Sequence, residues 1–521
     1  MNRRDFLKNG SVLGVAAGMT TKPAWGIVPA HNWGKYDFGS GPQVRDRLNQ
    51  GPFPQYPPDA VIPSDEVVMT TTPSDRVVPG YGKGLVTYIT ADMGTAEIRS
   101  DNIPQAIEDL VRFPLGQKLY IRPTWREIQP RPGRLDFPDY LRLVFDLAKR
   151  YDKRIGFRIQ MSAPDYYNSH ALPQFVLDKV PMVKLTGGTW PGSKRENNPD
   201  AHYQPRFDNP FFQQAFRELI GLLAAEFNGN PIIEFMDTFM YGFWGEGHTW
   251  PFTNTPFPDY ETAERTWVDM LEVQLEHFTK TPLLTNTQPD YSRVGNSEVL
   301  DRTVRSNNWI RSDTIFIENE QIEALSNRPP WIAVMIEQGI PGAPPQSARV
   351  DEGISPSDDI IAHVMDVGAN YWSLWNFHGI SAVNLMSWYR AFPKSFDRIN
   401  SRIGYRVRPS FIWSYKDNGY LGLIIGFAND GIAGVPGVLR VSVETPEGNV
   451  LKSGCLDPGY PLPGKIRQAQ FVLPKETKWQ GLKLRAEIEV KGMRHPVQWA
   501  CHQKLNSDGT LTLRPNGRHA S

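Results

Sequence analysis

The sequence lacks several features by which a function is commonly recognised. Among 521 residues there are only two cysteines, Cys455 and Cys501, which are too few for a cysteine-based zinc site. In an oxidising compartment they form either one bridge or two buried thiols, and the sequence leaves both open. No Gly-x-Ser-x-Gly elbow is present, and the ten histidines show no His-Glu-x-x-His spacing, so these two hydrolase motifs are excluded.

Net charge is also absent, because 56 Lys and Arg balance 56 Asp and Glu. Without a global field, the chain has no means of attracting a phosphate backbone or anionic lipid, which disfavours nucleic acid as a partner. Its 15 Trp, 19 Tyr and 26 Phe suit an uncharged polar ligand such as a sugar, whose C–H faces stack on rings. A large core consumes aromatic residues too, so composition alone does not decide between the two.

No hydrophobic run reaches the ~20 residues that a membrane-spanning helix needs. The amino terminus carries Arg3 and Arg4, followed by a short apolar run over residues 11–19, which resembles a twin-arginine export signal. We expect residues 1–26 to be a removed leader. The mature protein is then periplasmic or secreted and has no membrane anchor.

The remaining chain divides by its periodicity into three parts. Residues 27–80 are rich in Pro and Gly and predict an extended arm. Residues 81–408 alternate short β-branched or aromatic runs with amphipathic stretches of helical length, which indicates an α/β fold of eight βα units, the (β/α)8 TIM barrel. In residues 409–521, apolar and polar residues alternate with period two, and turn residues separate the alternating segments. This pattern predicts a C-terminal β-sandwich.

The barrel prediction rests on eight candidate strands and on two helices with recognisable caps. Asn209 and Ser355, each followed by proline, are the predicted caps. The long segment 164–208 after the third strand is expected to wall the barrel mouth. The predicted strands are Leu85–Thr90, Lys118–Arg122, Ile155–Met161, Ile232–Asp237, Pro282–Asn286, Thr314–Glu318, Trp331–Glu337 and Asn370–Asn376.

Reactive groups in such barrels lie at the carboxyl ends of the strands, where this chain has several carboxylates. Glu246 follows the fourth strand near Phe243, Trp244 and Trp250, and we expect these rings to desolvate it, raise its pKa and make it a general acid. Glu337 ends the seventh strand and is the candidate nucleophile, with Glu318 as a competitor.

A resemblance to a known family begins at the second strand. Segment 122–137, with Arg122, Trp125, a proline-glycine turn and Asp136-Phe137, resembles the strand-two signature of retaining (β/α)8 glycoside hydrolases. The glycine-rich segment around Glu246 and the terminal β domain resemble a group of bacterial glycosidase-like proteins. The resemblance implies that Glu246 is the acid/base, Glu337 the nucleophile and Arg122 its neighbour.

One position departs from this pattern. The resemblance implies an Asn directly before the acid, where it binds the sugar 2-hydroxyl, and this chain has Gly245; Asn286 is the candidate replacement. Asp237 is read either as a substrate ligand or as a structural residue held by backbone donors. The predicted substrate-binding residues are Arg122, Trp125, Asp237, Trp244, His248, Asn286, Glu318, Trp372 and Trp375.

The sequence therefore predicts an exported glycoside hydrolase that cleaves an oligo- or polysaccharide with retention and needs no cofactor. Two alternatives stay open. The first is a non-catalytic carbohydrate-binding protein on a degenerate barrel, which the Gly245 departure favours. The second is a metal-assisted hydrolase in which Glu246, His248 and a remote third ligand hold the ion.

Overall fold

The structure is a computed structural model. The candidate leader, residues 1–26, lies outside the residues it describes. No helix within the described part of the chain is both long and apolar enough to cross a membrane. The described residues are 41–53, 66–90, 94–98, 100–164, 169–189, 198–286, 301–312, 325–337, 356–374, 381–417 and 419–514.

Eight parallel strands close into a barrel, which confirms the predicted fold. Two strands precede it in the chain, β1 (Asn49–Gln50) and β2 (Glu66–Thr70). Pairing of Tyr371 with Gly84 and of Ser373 with Val86 joins the last strand to the first, so the sheet has no free edge. The barrel strands are β3 (Gly84–Tyr88), β4 (Lys118–Ile121), β5 (Arg154–Phe157), β8 (Ile233–Asp237), β9 (Leu283–Asn286), β10 (Trp309–Ser312), β11 (Val334–Ile336) and β12 (Tyr371–Ser373).

Seven barrel strands fall where the hydrophobic runs predict them, and the sixth does not. The predicted segment Thr314–Glu318 lies outside the described residues, and the sixth barrel strand is β10, which spans Trp309–Ser312 and pairs with β9 and β11. Arg311 lies inside β10 with its guanidinium buried. A charged residue at this position interrupts the apolar run, so the sequence pattern favours the next run of β-branched residues.

Both predicted helices are present, and the Asn209 cap is confirmed, whereas Ser355 lies outside the described residues. Helix α5 begins at Pro210, and the Asn209 side chain accepts hydrogen bonds from the first-turn amides of Phe211 and Phe212. Helix α7 begins at Pro356. In order, the described helices are α1 (Ile103–Val111), α2 (Trp125–Ile128), α3 (Asp139–Arg150), α4 (Gln174–Leu177), α5 (Pro210–Phe227), α6 (Tyr260–His277), α7 (Pro356–Val367), α8 (Ala382–Ala391) and α9 (Pro393–Asn400).

Beyond the barrel the chain forms two antiparallel sheets, as the period-two pattern predicts. Their strands are β13 (Val407–Asp417), β14 (Tyr420–Asn429), β15 (Val438–Glu444), β16 (Val450–Cys455), β17 (Ile466–Lys475), β18 (Lys483–Val490), β19 (Met493–Val497) and β20 (Leu511–Thr512), together with β1 and β2. One sheet has the order β1-β17-β14-β13-β2, so two strands of the predicted N-terminal arm belong to it. The other has the order β16-β15-β18-β19, with β20 beside β18.

The barrel and the sandwich share one continuous hydrophobic core. Contacts across the boundary include Tyr81, which stacks on His495 of β19 with ring centroids 3.5 Å apart. Cys455 and Cys501 are both buried free thiols, which decides between the two states that the sequence left open. No disulfide therefore joins these two residues of the C-terminal domain.

Candidate active site

Six charged side chains meet at the carboxyl ends of the barrel strands, where the sequence predicted the site. All six residues are buried, with exposed fractions between 0% and 4%. Five come from strands or from the residue directly after a strand, and Glu246 reaches the cluster from the loop after β8. The six are Arg122, Arg158, Asp237, Glu246, Arg311 and Glu337.

Arg311 joins the two predicted catalytic glutamates. Its Nη2 lies 2.6 Å from Glu246 Oε1, and its Nη1 is hydrogen bonded to Glu337 Oε2. The Nε of the same guanidinium lies 3.1 Å from Asp237 Oδ2. One planar cation therefore brings three carboxylates together, and it fixes Glu246 and Glu337 as near neighbours.

Glu337 is held by groups that favour its ionised form. The Tyr88 hydroxyl donates to Glu337 Oε1 at 3.0 Å, and Arg122 Nη2 lies 3.2 Å from the same oxygen. Burial raises the pKa of Tyr88 well above its usual value, so this hydroxyl keeps the proton that it donates. A carboxylate oriented in this way can act as a nucleophile.

The environment of Glu246 differs from the one predicted. Phe243 is buried, but Trp250 is 64% exposed, so only some of the three expected rings are buried. Burial acts to raise the pKa of Glu246, but Arg158, His248 and Arg311 together outweigh it and hold the pKa well below its usual range. The prediction of a raised pKa is thus wrong, because buried guanidiniums contribute more than the neighbouring rings.

The two oxygens of Glu246 face different partners. Oε1 lies 3.1 Å from Arg158 Nη1 and 2.6 Å from Arg311 Nη2. Oε2 lies 3.9 Å from Nε2 of His248, whose side chain is 19% exposed. A proton on this carboxyl group would therefore be placed on Oε2, on the side of His248 and away from the two guanidiniums.

A glycine-rich turn presents Glu246 to the cluster. Gly242, Gly245 and Gly247 all have positive φ, and Trp244 between them has φ 55°. Trp244 is held there because its amide donates to the Ser162 carbonyl at 2.9 Å and its own carbonyl accepts from Arg158. Gly245 has φ 76°, and a Cβ there would lie 3.0 Å from Phe239 Cβ, so an asparagine before Glu246 would crowd Phe239.

The loop after β8 is attached to the long segment that follows β5. This segment contains a hairpin of β6 (Met182–Lys184) and β7 (Tyr203–Pro205). Asn254 donates to the Lys184 carbonyl at 3.0 Å and accepts from the Thr186 amide at 2.6 Å. These bonds position the loop that carries Glu246 from outside the barrel.

Two predicted sugar platforms are core residues. Trp125 is fully buried against Phe175 and Phe212, and its indole N–H donates to Gln129 Oε1 at 2.6 Å. Trp372 is also fully buried and packs against Trp388 and Phe396. Neither ring presents a face to a ligand, so both predictions are wrong for a packing reason.

The remaining predicted residues have different positions. Asp237 ends β8, accepts a hydrogen bond from the Tyr120 hydroxyl and forms an ion pair with Arg311, which favours a structural role. Asn286 ends β9, is buried and is paired in register with Arg311. Trp244 is partly buried. Glu318 and Trp375 lie outside the described residues.

Sequence reasoning missed Arg158, Arg311 and Tyr88. Arg158 directly follows the apolar run of β5, so the rule that strand ends carry the chemistry was sufficient to find it. Arg311 was missed because the sixth strand was placed too late. Within the described ranges, no group of three or more His, Cys, Asp or Glu side chains is arranged to hold a metal ion.

Comparison with known proteins gives structural similarity only. No family model and no curated protein matches the chain. Endo-glycoceramidase II from Rhodococcus sp. is 12% identical with a TM-score of 0.36, over 75% of this chain and 97% of that one. A family 39 glycoside hydrolase from Bacteroides cellulosilyticus WH2 is 9% identical with a TM-score of 0.37, over 80% and 83%.

A D-allulose 3-epimerase from Methylomonas sp. is also similar, at 11% identity and a TM-score of 0.33, over 62% of this chain and all of that one. Solved glycoside hydrolases are thus among the structures that this chain is similar to. The scores are too low to carry an argument about function. The fold follows from the hydrogen bonding of the barrel itself.

Proposed function

We propose that the protein is a retaining glycoside hydrolase in which Glu337 is the nucleophile and Glu246 the acid/base. The observation that carries this proposal is that both carboxylates are bound to the same guanidinium, Arg311, at the catalytic end of the barrel. Carboxylates on neighbouring nitrogens of one guanidinium fit the separation of about 5–5.5 Å of retaining sites better than the roughly 6.5–9.5 Å of inverting ones.

In the first step, the Glu337 carboxylate bonds to the anomeric carbon while the bond from that carbon to the leaving oxygen breaks. Glu246 gives its proton from Oε2 to the leaving oxygen. In the second step, Glu246 takes a proton from water, whose oxygen bonds to the anomeric carbon and releases Glu337. Tyr88 and Arg122 orient Glu337 throughout, since both contact its Oε1.

The proposal includes export and a carbohydrate substrate. Arg3, Arg4 and the short apolar run after them support a twin-arginine leader over residues 1–26. The neutral net charge supports an oligo- or polysaccharide in preference to a nucleic acid. A periplasmic or secreted enzyme would meet such a substrate outside the cytoplasm.

A second candidate function is a non-catalytic sugar-binding protein on the same barrel. One observation favours it: Glu246 is paired with Arg158 and Arg311, which hold the carboxyl group ionised, whereas a general acid needs a proton. A binding protein would hold a glycan at this site and release no product over long incubation.

Turnover of aryl glycosides of both anomeric configurations, with NMR of the first anomer formed, tests the proposal. We expect retention, a loss of roughly 10²–10⁴-fold in Glu246→Gln for substrates with poor leaving groups, and no turnover in Glu337→Gln. Glu276→Gln is the control, because Glu276 is exposed and pairs with Arg217 away from the site. Full activity in either site variant rules out the assignment, and binding without turnover by the unmodified protein favours the second candidate.

A further inference from the structure

The segment that directly follows β5, the third barrel strand, holds the turn that carries Glu246. Arg158 is the first residue of this segment, and its side chain is fully buried. Its Nη1 lies 3.1 Å from Glu246 Oε1, and its Nη2 donates to the carbonyl of Trp244. The carbonyl of Ser162, in the same segment, accepts a hydrogen bond from the Trp244 amide at 2.9 Å. The backbone and the side chain of the turn are therefore both held from a strand other than β8, which precedes the turn in the chain.

One guanidinium fixes two parts of this turn relative to each other. The carbonyl of Trp244 and the carboxylate of Glu246 lie on either side of Gly245, and Arg158 contacts both. Because a guanidinium is planar and rigid, the spacing of its two terminal nitrogens is fixed. Trp244 has φ 55°, a conformation that persists only where the surroundings hold it. Arg158 therefore sets the direction in which the Glu246 side chain leaves the turn.

Packing alone does not account for an arginine at this position. The Nε of Arg158 is buried and has no hydrogen-bond partner in the part of the chain that the structure describes. An unpaired buried donor costs free energy, and a buried ion pair is often no more stabilising than apolar side chains of the same volume. What the guanidinium provides in exchange is its pair of contacts to Trp244 and Glu246.

We propose that Arg158 is the positioning residue of the acid/base: it fixes Oε1 of Glu246 and thereby directs Oε2 toward the leaving oxygen. This inference rests on the proposed function and adds the residue through which the acid is oriented. Arg158 has this role in both protonation states of Glu246. When the proton is on Oε2, Oε1 is a carbonyl oxygen and still accepts a hydrogen bond. The contact therefore persists through both steps of the proposed reaction.

Two substitutions separate the geometry of Arg158 from its charge. Arg158→Lys keeps the positive charge, but a single ammonium does not reproduce the fork that holds Trp244 and Glu246 together. Arg158→Gln removes the charge as well. The other charged or titratable side chains that surround Glu246 are the same in both variants. Within the described residues these are Arg122, Asp237, His248, Arg311 and Glu337.

The test compares two aryl glycosides of one sugar that differ in their need for a proton. For both, kcat/KM reports the first step, in which a phenyl leaving group needs the acid and a dinitrophenyl group departs without one. In Arg158→Lys we expect kcat/KM for the phenyl glycoside to fall by roughly 10–100-fold, the effect of misplacing a catalytic group by about 1 Å. The dinitrophenyl value should change little, so the dinitrophenyl-to-phenyl ratio rises.

Arg154→Lys is the matched control. Arg154 begins the same strand, and its guanidinium contacts His495 instead of the site. This variant should keep the ratio of the unmodified protein, because it makes the same substitution without touching the turn.

The outcomes for this inference and for the proposed function are distinct. An unchanged ratio in Arg158→Lys, with a native circular dichroism spectrum, overturns the inference, even if both values fall together, because a structural defect affects both substrates alike. A ratio that rises in Glu246→Gln but not in Arg158→Lys refutes the inference alone. An unchanged ratio in Glu246→Gln, or no turnover of any glycoside, refutes the proposed function and the inference with it.

Arg158→Gln gives a second readout, which decides the question if Arg158→Lys does not fold. Loss of one cation beside Glu246 raises the pKa of that carboxyl group, so kcat/KM for the phenyl glycoside should begin to fall at a higher pH than in the unmodified protein. The dinitrophenyl profile should keep its shape. If the phenyl profile does not move, or if neither variant folds, Arg158 is a structural residue and the inference is overturned.

Discussion

At the residue scale, the charge of Glu246 is set by its partners and not by its burial. A carboxyl group this buried would ordinarily hold its proton, yet Arg158 and Arg311 lie 3.1 and 2.6 Å from Oε1 and favour the ionised form. Glu337 has a matching set of donors in Tyr88 and Arg122. Without substrate, Glu337 is therefore oriented as a nucleophile requires, whereas Glu246 lacks the proton that a general acid donates.

This charge state predicts an acidic pH profile. The pKa of Glu246 is lowered, so its protonated fraction falls about tenfold for each pH unit above that pKa. For a phenyl glycoside, whose leaving group needs a proton, kcat/KM should rise as the pH is lowered, until the protein unfolds or Glu337 is protonated. The measurement is kcat/KM against pH.

A dinitrophenyl glycoside of the same sugar is the control, because its leaving group departs without a proton. Its profile should be flatter, and Glu246→Gln should retain its glycosylation step. A phenyl glycoside whose kcat/KM is flat, or rises toward alkaline pH, contradicts Glu246 as the acid.

At the scale of elements, the loop after β8 brings the proposed acid to the site, which the end of β8 alone does not do. Asp237 occupies the end of β8, and Glu246 is brought back to the same cluster by a turn with three glycines at positive φ. The hairpin of β6 and β7 fixes the far side of this loop through Asn254. The position of the acid therefore depends on two neighbouring loops.

Substitution Gly245→Ala should displace Glu246. Its φ of 76° costs a residue with Cβ roughly 1–2 kcal/mol, and the added Cβ would lie 3.0 Å from Phe239 Cβ. We expect a loss of unfolding free energy together with a large loss of turnover, measured by denaturant titration and by kcat.

The substitution Gly133→Ala separates the loss of unfolding free energy from the loss of turnover. Gly133 has φ 84°, and a Cβ added there would have no atom within 4 Å. An alanine at Gly133 therefore has the same unfavourable backbone conformation as one at Gly245, but it makes no close contact and lies outside the loop that carries Glu246. It should be destabilised to a similar degree and keep its activity. Full activity in Gly245→Ala would show that the turn does not position the acid.

At the scale of the whole molecule, barrel and sandwich form one body with a buried polar contact between them. His495 of β19 stacks on Tyr81, and Arg154 Nη1 lies 3.2 Å from its Nδ1. Arginine only donates, so this ring nitrogen accepts and the imidazole is neutral. Burial, Arg154 and Lys118 lower the pKa of His495 to about 4, against the opposing effect of Glu234.

A lowered histidine pKa predicts loss of stability in acid. The folded state favours the neutral ring, so the contribution of His495 is fully present above its unfolded pKa of about 6.5 and is lost as the pH falls toward 4. The unfolding free energy of the protein should decrease over this window, and His495→Phe should reduce the decrease.

His502→Asn is the matched control, because His502 is 53% exposed and lies on the surface near Asp75. It should leave the pH dependence of unfolding unchanged. The same slope in His495→Phe and in the unmodified protein would contradict the assignment of this contact.

Local pattern was sufficient to determine the architecture and half of the site. Three features depend only on neighbours in the chain: the apolar runs, the cap at Asn209 and the period-two strands after the barrel. They can therefore be recognised from the sequence without knowledge of tertiary contacts. Glu337 is identifiable because it directly follows an apolar strand, and Glu246 because it lies in the loop after the fourth barrel strand.

Tertiary structure alone decided which groups surround these glutamates, and through them the charge of the site. Arg311 meets Glu246 across 65 residues of chain and Arg158 across 88, and no local pattern encodes such pairs. It likewise decided that Trp125 and Trp372 pack in the core. The physical reason is that periodicity reports which face of an element is buried, whereas a pKa depends on charges within a few ångströms that come from other strands.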